Sequence, residues 1–186
     1  SDHFSADLIR VALERSVFRP LGDGRIVFSH LIYRDYLAAL GIFSHISSKH
    51  WIPLLFTNER DAIYAQHAGI ATWLATYNKG FLAELSAIQP ELLLASADSV
   101  QSIGPEKLCN ALLNRADNLS YSQRQRERVQ SNFHRLKNDQ TLVFLRECLL
   151  DKERSNEAIE LAIAISEACE YSDLADLLAS RVLDLH

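Results

Sequence analysis

FSHLIYRDYLAAL, Phe28 to Leu40, places a histidine where a β-rich run gives way to a helical period. Before it lie SVFRPL and RIVFSH, joined by Gly22-Asp23-Gly24. That turn signal predicts a short hairpin with strands at Val17 to Leu21 and Arg25 to Phe28. Pro20 lacks an amide proton and confines its strand to a sheet edge. After it, a helix is predicted from Ser29 to Ile46, with Leu31, Tyr36, Leu40 and Phe43 near one face and Arg34 and Asp35 near the other. His30 sits at the joint.

Outward from this joint the chain reads as helix. Ser5 can cap a first helix carrying Leu8, Ile9, Ala12 and Leu13 at the helical period, ending near Ser16. Beyond the Ser47-Ser48 break, apolar periodicity predicts helical segments at His50 to Phe56, Arg60 to Tyr77, Gly80 to Ile88 and Pro90 to Leu94. Further helices are predicted at Pro105 to Ala116, Ser122 to Leu136, Gln140 to Leu150, Asn156 to Cys169 and Ser172 to Leu183. Pro90-Glu91 and Pro105-Glu106 each put proline at a first helical position with an acid behind it, which suits the helix dipole. Six glycines and four prolines in 186 residues are too few to punctuate many short strands. The expected class is mainly α: a short β-hairpin, then an antiparallel helical array of HEAT-like α-solenoid character.

A formal charge of −5 gives no general attraction for nucleic acid or anionic lipid. Cys109, Cys148 and Cys169 are odd in number, far apart and set among apolar residues, so buried, reduced thiols and a cytoplasmic location are expected. No apolar run approaches the length of a membrane span and no signal peptide opens the chain, so no membrane partner is expected. The chain contains no Met, even at its start, and reads as part of something longer.

The helix, a hairpin ending in VFSH and then LIYRDYLAAL resemble the end of the winged-helix domain in NACHT-type STAND ATPases, a family that includes inflammasome receptors and bacterial antiviral defence proteins. The family pattern is phenylalanine, any residue, histidine, three residues, then Gln-Glu-Phe/Tyr-x-Ala-Ala. Phe28 and His30 match its first two elements, Tyr36 the aromatic, and Ala38 and Ala39 the alanine pair. Arg34 and Asp35 stand in place of Gln-Glu. The segment HAGIATWLATYNKGFLAELSAIQPELLLASAD is similar to the helical region after that domain in bacterial members, so the resemblance covers roughly residues 5 to 100. The division it implies is the C-terminal part of a winged-helix-like domain over 1–47 and a helical HEAT-like array over 48–186, with hydrophobic surface left open on the first helix and hairpin.

The resemblance implies a non-catalytic regulatory and relay role in a larger signal-transducing NTPase. His30 would touch the β-phosphate of bound ADP in the intact parent, while Phe28, Tyr36, Ala38 and Ala39 pack the motif. Its partners would be the upstream NTPase domain of the same chain and an unidentified protein or peptide trigger. ADP or ATP with magnesium would belong to the parent, since this chain holds no G-x-x-x-x-G-K-[ST] loop and needs no cofactor of its own. On the residues alone, His30 reads first as a packed strand-end histidine satisfying a backbone carbonyl, since lone histidines are seldom ligands, and only the resemblance favours the nucleotide role. The reading from a different class is a self-contained α-helical adaptor that binds a protein or peptide.

Other residues carry weaker signals. Arg124, Arg128 and Arg135 recur at helical steps and form a possible basic face, but interleaved Glu127 weakens it and a solvated helix face is the simpler reading. His45, His50 and His67 lack metal-ligand spacing, so no metal is expected. Asp61 with His67, or Ser29 with His30 and Asp35, can be written as triads, yet no catalytic motif supports an enzyme. Trp51, Trp73, Tyr77, Phe81 and Phe133 read as inter-helix packing.

Overall fold

The computed structural model describes residues 11, 17–23, 25–118 and 129–184. The class is mainly α with one antiparallel hairpin. Strands β1 (Phe18–Gly22) and β2 (Arg25–Phe28) pair Phe18 with Phe28, Arg19 with Val27 and Pro20 with Ile26. Gly22 and Asp23 both take positive φ, 90° and 51°, so the Gly-Asp-Gly turn forms for the reason the residues suggest. The first predicted helix, from Ser5 to Ser16, lies outside the described residues apart from Val11, which is helical and exposed.

Helix α1 spans Leu31–His45 and is followed by a 3-10 turn at Ser48–His50 and the short helix α2, Trp51–Leu55. The face α1 turns inward is not the one richest in large apolar side chains. Ala39 is fully buried, Ile42 and Ile46 pack on the core, and the Asp35 side chain is only 15% exposed. Leu31, at 65% exposure, faces out, as do Leu37 and Leu40. The inward stripe 35, 39, 42, 46 steps by four, three and four, and the short Asp35 and Ala39 side chains on it let α1 lie close on α3, Ala68–Tyr77.

The helix predicted from Arg60 begins later. Residues 57–64 form a tight loop closed by Thr57 N–H to Ala62 O at 2.9 Å and Tyr64 N–H to Leu55 O at 3.0 Å. The Thr57 hydroxyl donates to Asp61 at 2.6 Å, and Arg60 takes φ of 58°. Local side-chain bonding of this kind competes with helix, and regular structure resumes only in the 3-10 turn Ala65–His67 that leads into α3.

Helix α4 covers Lys79–Ile88, capped by Asn78, whose side chain accepts from Phe81 N–H at 2.9 Å. Pro90–Ala95 is a 3-10 segment with Pro90 first, and α5, Ala97–Ile103, follows it. The periodicity did not predict α5, although Ser96 caps it and Gly104, with φ of 98°, ends it. Helix α6 runs Pro105–Asn118, with Pro105 first as expected.

After the undescribed 119–128, the predicted helix to Leu136 is broken by a turn at 131–132 and finishes as a 3-10 segment, Phe133–Leu136. Helices α7 (Asp139–Leu150), α8 (Asn156–Ala168) and α9 (Ala175–Asp184) complete the chain. Helices α6, α7 and α8 pack on one another and α9 packs on α7. Polar clasps join them. Asp117 receives Arg154 and the Ser155 N–H, tying the end of α6 to the start of α8. Tyr171 donates to Asn138 O at 2.7 Å and accepts Asn138 N–H at 2.9 Å, tying the end of α8 to the start of α7.

One hydrophobic cluster runs through the described helices, including Trp51, Phe56, Phe81 and Phe133. Trp51 meets Phe81 edge-on at 5.7 Å, as expected of packing aromatics. The three cysteines are buried and none is in a disulfide. Among the described residues no helix is long and apolar enough to cross a membrane.

Candidate functional site

The hairpin positions His30. The Phe18 and Phe28 rings lie 4.7 Å apart across the strands, and Ser29 N–H donates to Val17 O at 2.9 Å, which extends the pairing to the residue before the histidine. His30 then stays extended (φ −135°, ψ 141°) and serves as the N-cap of α1, its carbonyl accepting Tyr33 N–H at 3.2 Å. Its side chain makes no capping bond. The ring is exposed, 6.0 Å from Tyr33, and bonds no carbonyl among the described residues, unlike the packed histidine that spacing alone allowed.

No acid occupies the first turn of α1. The helix therefore presents its amino-terminal dipole beside an imidazole with no side-chain oxygen capping it. That combination suits an anionic oxygen.

The remaining motif residues lie along α1. Phe28 and Ala38 are half-buried, Ala39 is fully buried, and Tyr36 stands edge-on to Trp73 at 5.1 Å. One turn farther along α3, Tyr77 meets Phe43 at 5.3 Å. The Trp73-Tyr77 face thus docks two rings of α1. Burial and the neighbouring Tyr36 hydroxyl push the Tyr77 phenol above its ordinary value.

Apolar surface is open here. Leu21 and Ile26 of the hairpin are exposed, as the resemblance leads one to expect, and the open surface continues onto α1 through Leu31, Ile32 and Leu37. The first-helix part of that expectation lies outside the described residues apart from Val11.

Asp35 and Arg34, which replace the family's Gln-Glu, pair with each other: Nε and Nη2 of Arg34 both donate to Asp35 Oδ1, at 2.9 and 2.7 Å. Oδ2 lies over Gly69. Beside it a cleft of about 400 Å³ opens between α1 and α3, lined by Ile32, Asp35, Thr72, Trp73, Thr76 and Ser96. No local signal announced this cleft, because residues from two helices and a later loop make it.

The other candidates are dispersed. Arg124 and Arg128 lie outside the described residues. Arg135 is half-buried and donates to Leu94 O at 2.7 Å, so its guanidinium is engaged within the fold. His45 and His50 are exposed and His67 stands edge-on to Tyr64 at 5.9 Å. Among the described residues no three His, Cys, Asp or Glu side chains come together as a metal would need. Asp61 bonds Thr57, which holds its carboxyl below the usual range, and Asp35 bonds Arg34. No family model, curated protein or solved structure matches the chain.

Proposed function

We propose that this chain is a non-catalytic regulatory and relay portion of a larger NACHT-type STAND NTPase, coupling the sensing of a protein or peptide trigger to a nucleotide switch, as in bacterial antiviral defence. The observation that carries the reading is the exposed His30 at the start of α1. An imidazole there can donate to a phosphate oxygen brought by a neighbouring domain, with the helix dipole adding to the attraction. The open apolar surface of the hairpin and α1 supports it, since a truncated domain leaves such surface where its missing part docks.

In this reading the phosphate loop and magnesium ligands belong to the upstream domain. The described helices pack one and two places along the chain, α6 on α7 and α8, α7 on α9, and such packing suits the transmission of a displacement from one end to the other. A trigger acts by binding the closed, ADP-bound state and the open state with different affinity.

The test uses the full parent chain. ADP release is timed for the wild type and for His30→Ala, and faster release in the variant is expected, while the 186-residue chain alone binds no ADP. Release at the wild-type rate, or a parent without a phosphate loop, would falsify the reading and leave the helical adaptor in its place.

A further inference from the structure

The cleft between α1 and α3 is mainly apolar, and most of the oxygens on its wall can only accept hydrogen bonds. Thr72 Oγ1 donates to Ala68 O at 3.0 Å and Thr76 Oγ1 to Trp73 O at 2.7 Å. Each hydroxyl has committed its one proton to its own helix and turns only lone pairs outward. Asp35 adds a carboxylate whose Oδ1 takes both Arg34 bonds, while Oδ2 receives no hydrogen bond among the described residues and lies over Gly69 on the cleft wall. Ser96, whose oxygen accepts Ser99 N–H at 3.3 Å, and Trp73, through its indole N–H, are the lining side chains that keep a proton to donate.

Among the described residues no cationic side chain lines the cleft, and the Arg34 guanidinium is held on Asp35 Oδ1. Ile32 and Trp73 form its apolar walls. An anion entering it would meet a carboxylate and two sets of lone pairs. A donor-rich cation would meet partners for its protons and an indole for its stem. The volume of about 400 Å³ admits a small group of this kind.

We propose that this cleft binds an alkylguanidinium or alkylammonium group, with the cationic head on Asp35 and Thr72 and the short apolar stem against Trp73 and Ile32. A free organic amine and the side chain of an arginine or lysine in a partner peptide share this chemistry. The site stands independently of the nucleotide-switch reading.

The two tryptophans supply the assay. Trp51 is 2% exposed with its indole N–H bonded to Ile46 O at 2.9 Å, whereas Trp73 lines the cleft. The indole N–H signals of the 186-residue chain are followed by NMR during titration with n-butylguanidinium at constant ionic strength. The Trp73 signal is expected to move saturably while Trp51 stays, and the neutral n-butylurea is expected to move neither.

Asp35→Asn is expected to weaken binding about tenfold or more, the usual loss for a hydrogen bond to a charged group. Thr72→Val keeps the charge and is expected to weaken it several-fold, which decides the matter if Asp35→Asn loses the Trp51 signal and with it the fold. A short peptide with one arginine that binds tighter than n-butylguanidinium assigns the site to a protein partner, and weaker binding assigns it to a free amine. The proposal is overturned if the urea shifts Trp73 as the guanidinium does, if neither variant weakens the titration, or if no saturable shift occurs.

Discussion

Asp35 and Gly69 are matched in shape: a Cβ placed on Gly69 would sit 2.8 Å from Asp35 Cγ and 3.2 Å from its Cβ. The missing side chain on α3 is what lets α1 settle with a short acid on its inner face. Gly41, on α1 itself, has nothing within 4 Å of where its Cβ would be.

These two glycines therefore predict opposite signs. Gly69→Ala displaces Asp35, and overpacking of about 1–3 kcal/mol outweighs the helix propensity gained. Gly41→Ala keeps only the propensity gain, up to about 1 kcal/mol. Thermal melts are expected to fall for the first and rise for the second; two shifts of the same sign would contradict the packing described.

Asp117 joins α6 to α8 through Arg154 and Ser155. Burial alone would raise its carboxyl, but the hydrogen bond from Ser155 N–H and the Arg154 guanidinium hold it below the ordinary 3.8. A depressed folded value means the group stabilises the fold above pH 3.8 and loses that contribution as the pH falls toward the folded value. Asp117→Asn is expected to cost about 1–3 kcal/mol at neutral pH. Denaturation of variant and wild type across pH should give curves that converge in acid, and a constant gap would sink the assignment.

Arg115 reaches Glu91 at 3.4 Å and also donates to Ile88 O, with the Glu91 side chain 6% exposed. Removing the cation from a buried pair takes away the charge that offsets the acid's desolvation, so Arg115→Met is expected to destabilise by about 3 kcal/mol or more, and Glu91→Gln by less. Urea denaturation of both variants tests the order.

The thiols are predicted to be inert until the fold opens. Burial pushes Cys109 far up and Cys169 up to about 11 from an ordinary 9.0. Stability from keeping Cys169 protonated is complete below pH 9 and is lost as the pH rises from there toward 11. Reaction with an aromatic disulfide at pH 8 should follow the unfolding rate; rapid labelling of the native chain would show the thiols accessible.

Much of the secondary structure was legible because its causes are local. The Gly-Asp-Gly turn needs positive φ at Gly22 and Asp23, and Pro90 and Pro105 open their segments because a first helical position has no use for an amide proton. Helix α5 was equally legible from Ser96 and Gly104, and the weak apolar period of its seven residues hid it. The placement of His30 between strand and helix also arises from residues within a few positions of it.

What the sequence by itself determined is the order of elements, the hairpin and the residue at its joint with α1, since backbone preferences and caps act over three or four residues. Tertiary structure decided which face of α1 turns inward, because an apolar period identifies a stripe and only the partner surface, here Gly69, selects the stripe that fits. It also decided the destinations of long side chains: Arg135 bonds Leu94, 41 residues away, and Gln89 receives Ile63 N–H from 26 residues away. The cleft between α1 and α3 belongs to this second kind. Its charge and hydroxyls sit on separate helices, and the physical cause of their meeting is the close approach of α1 to α3.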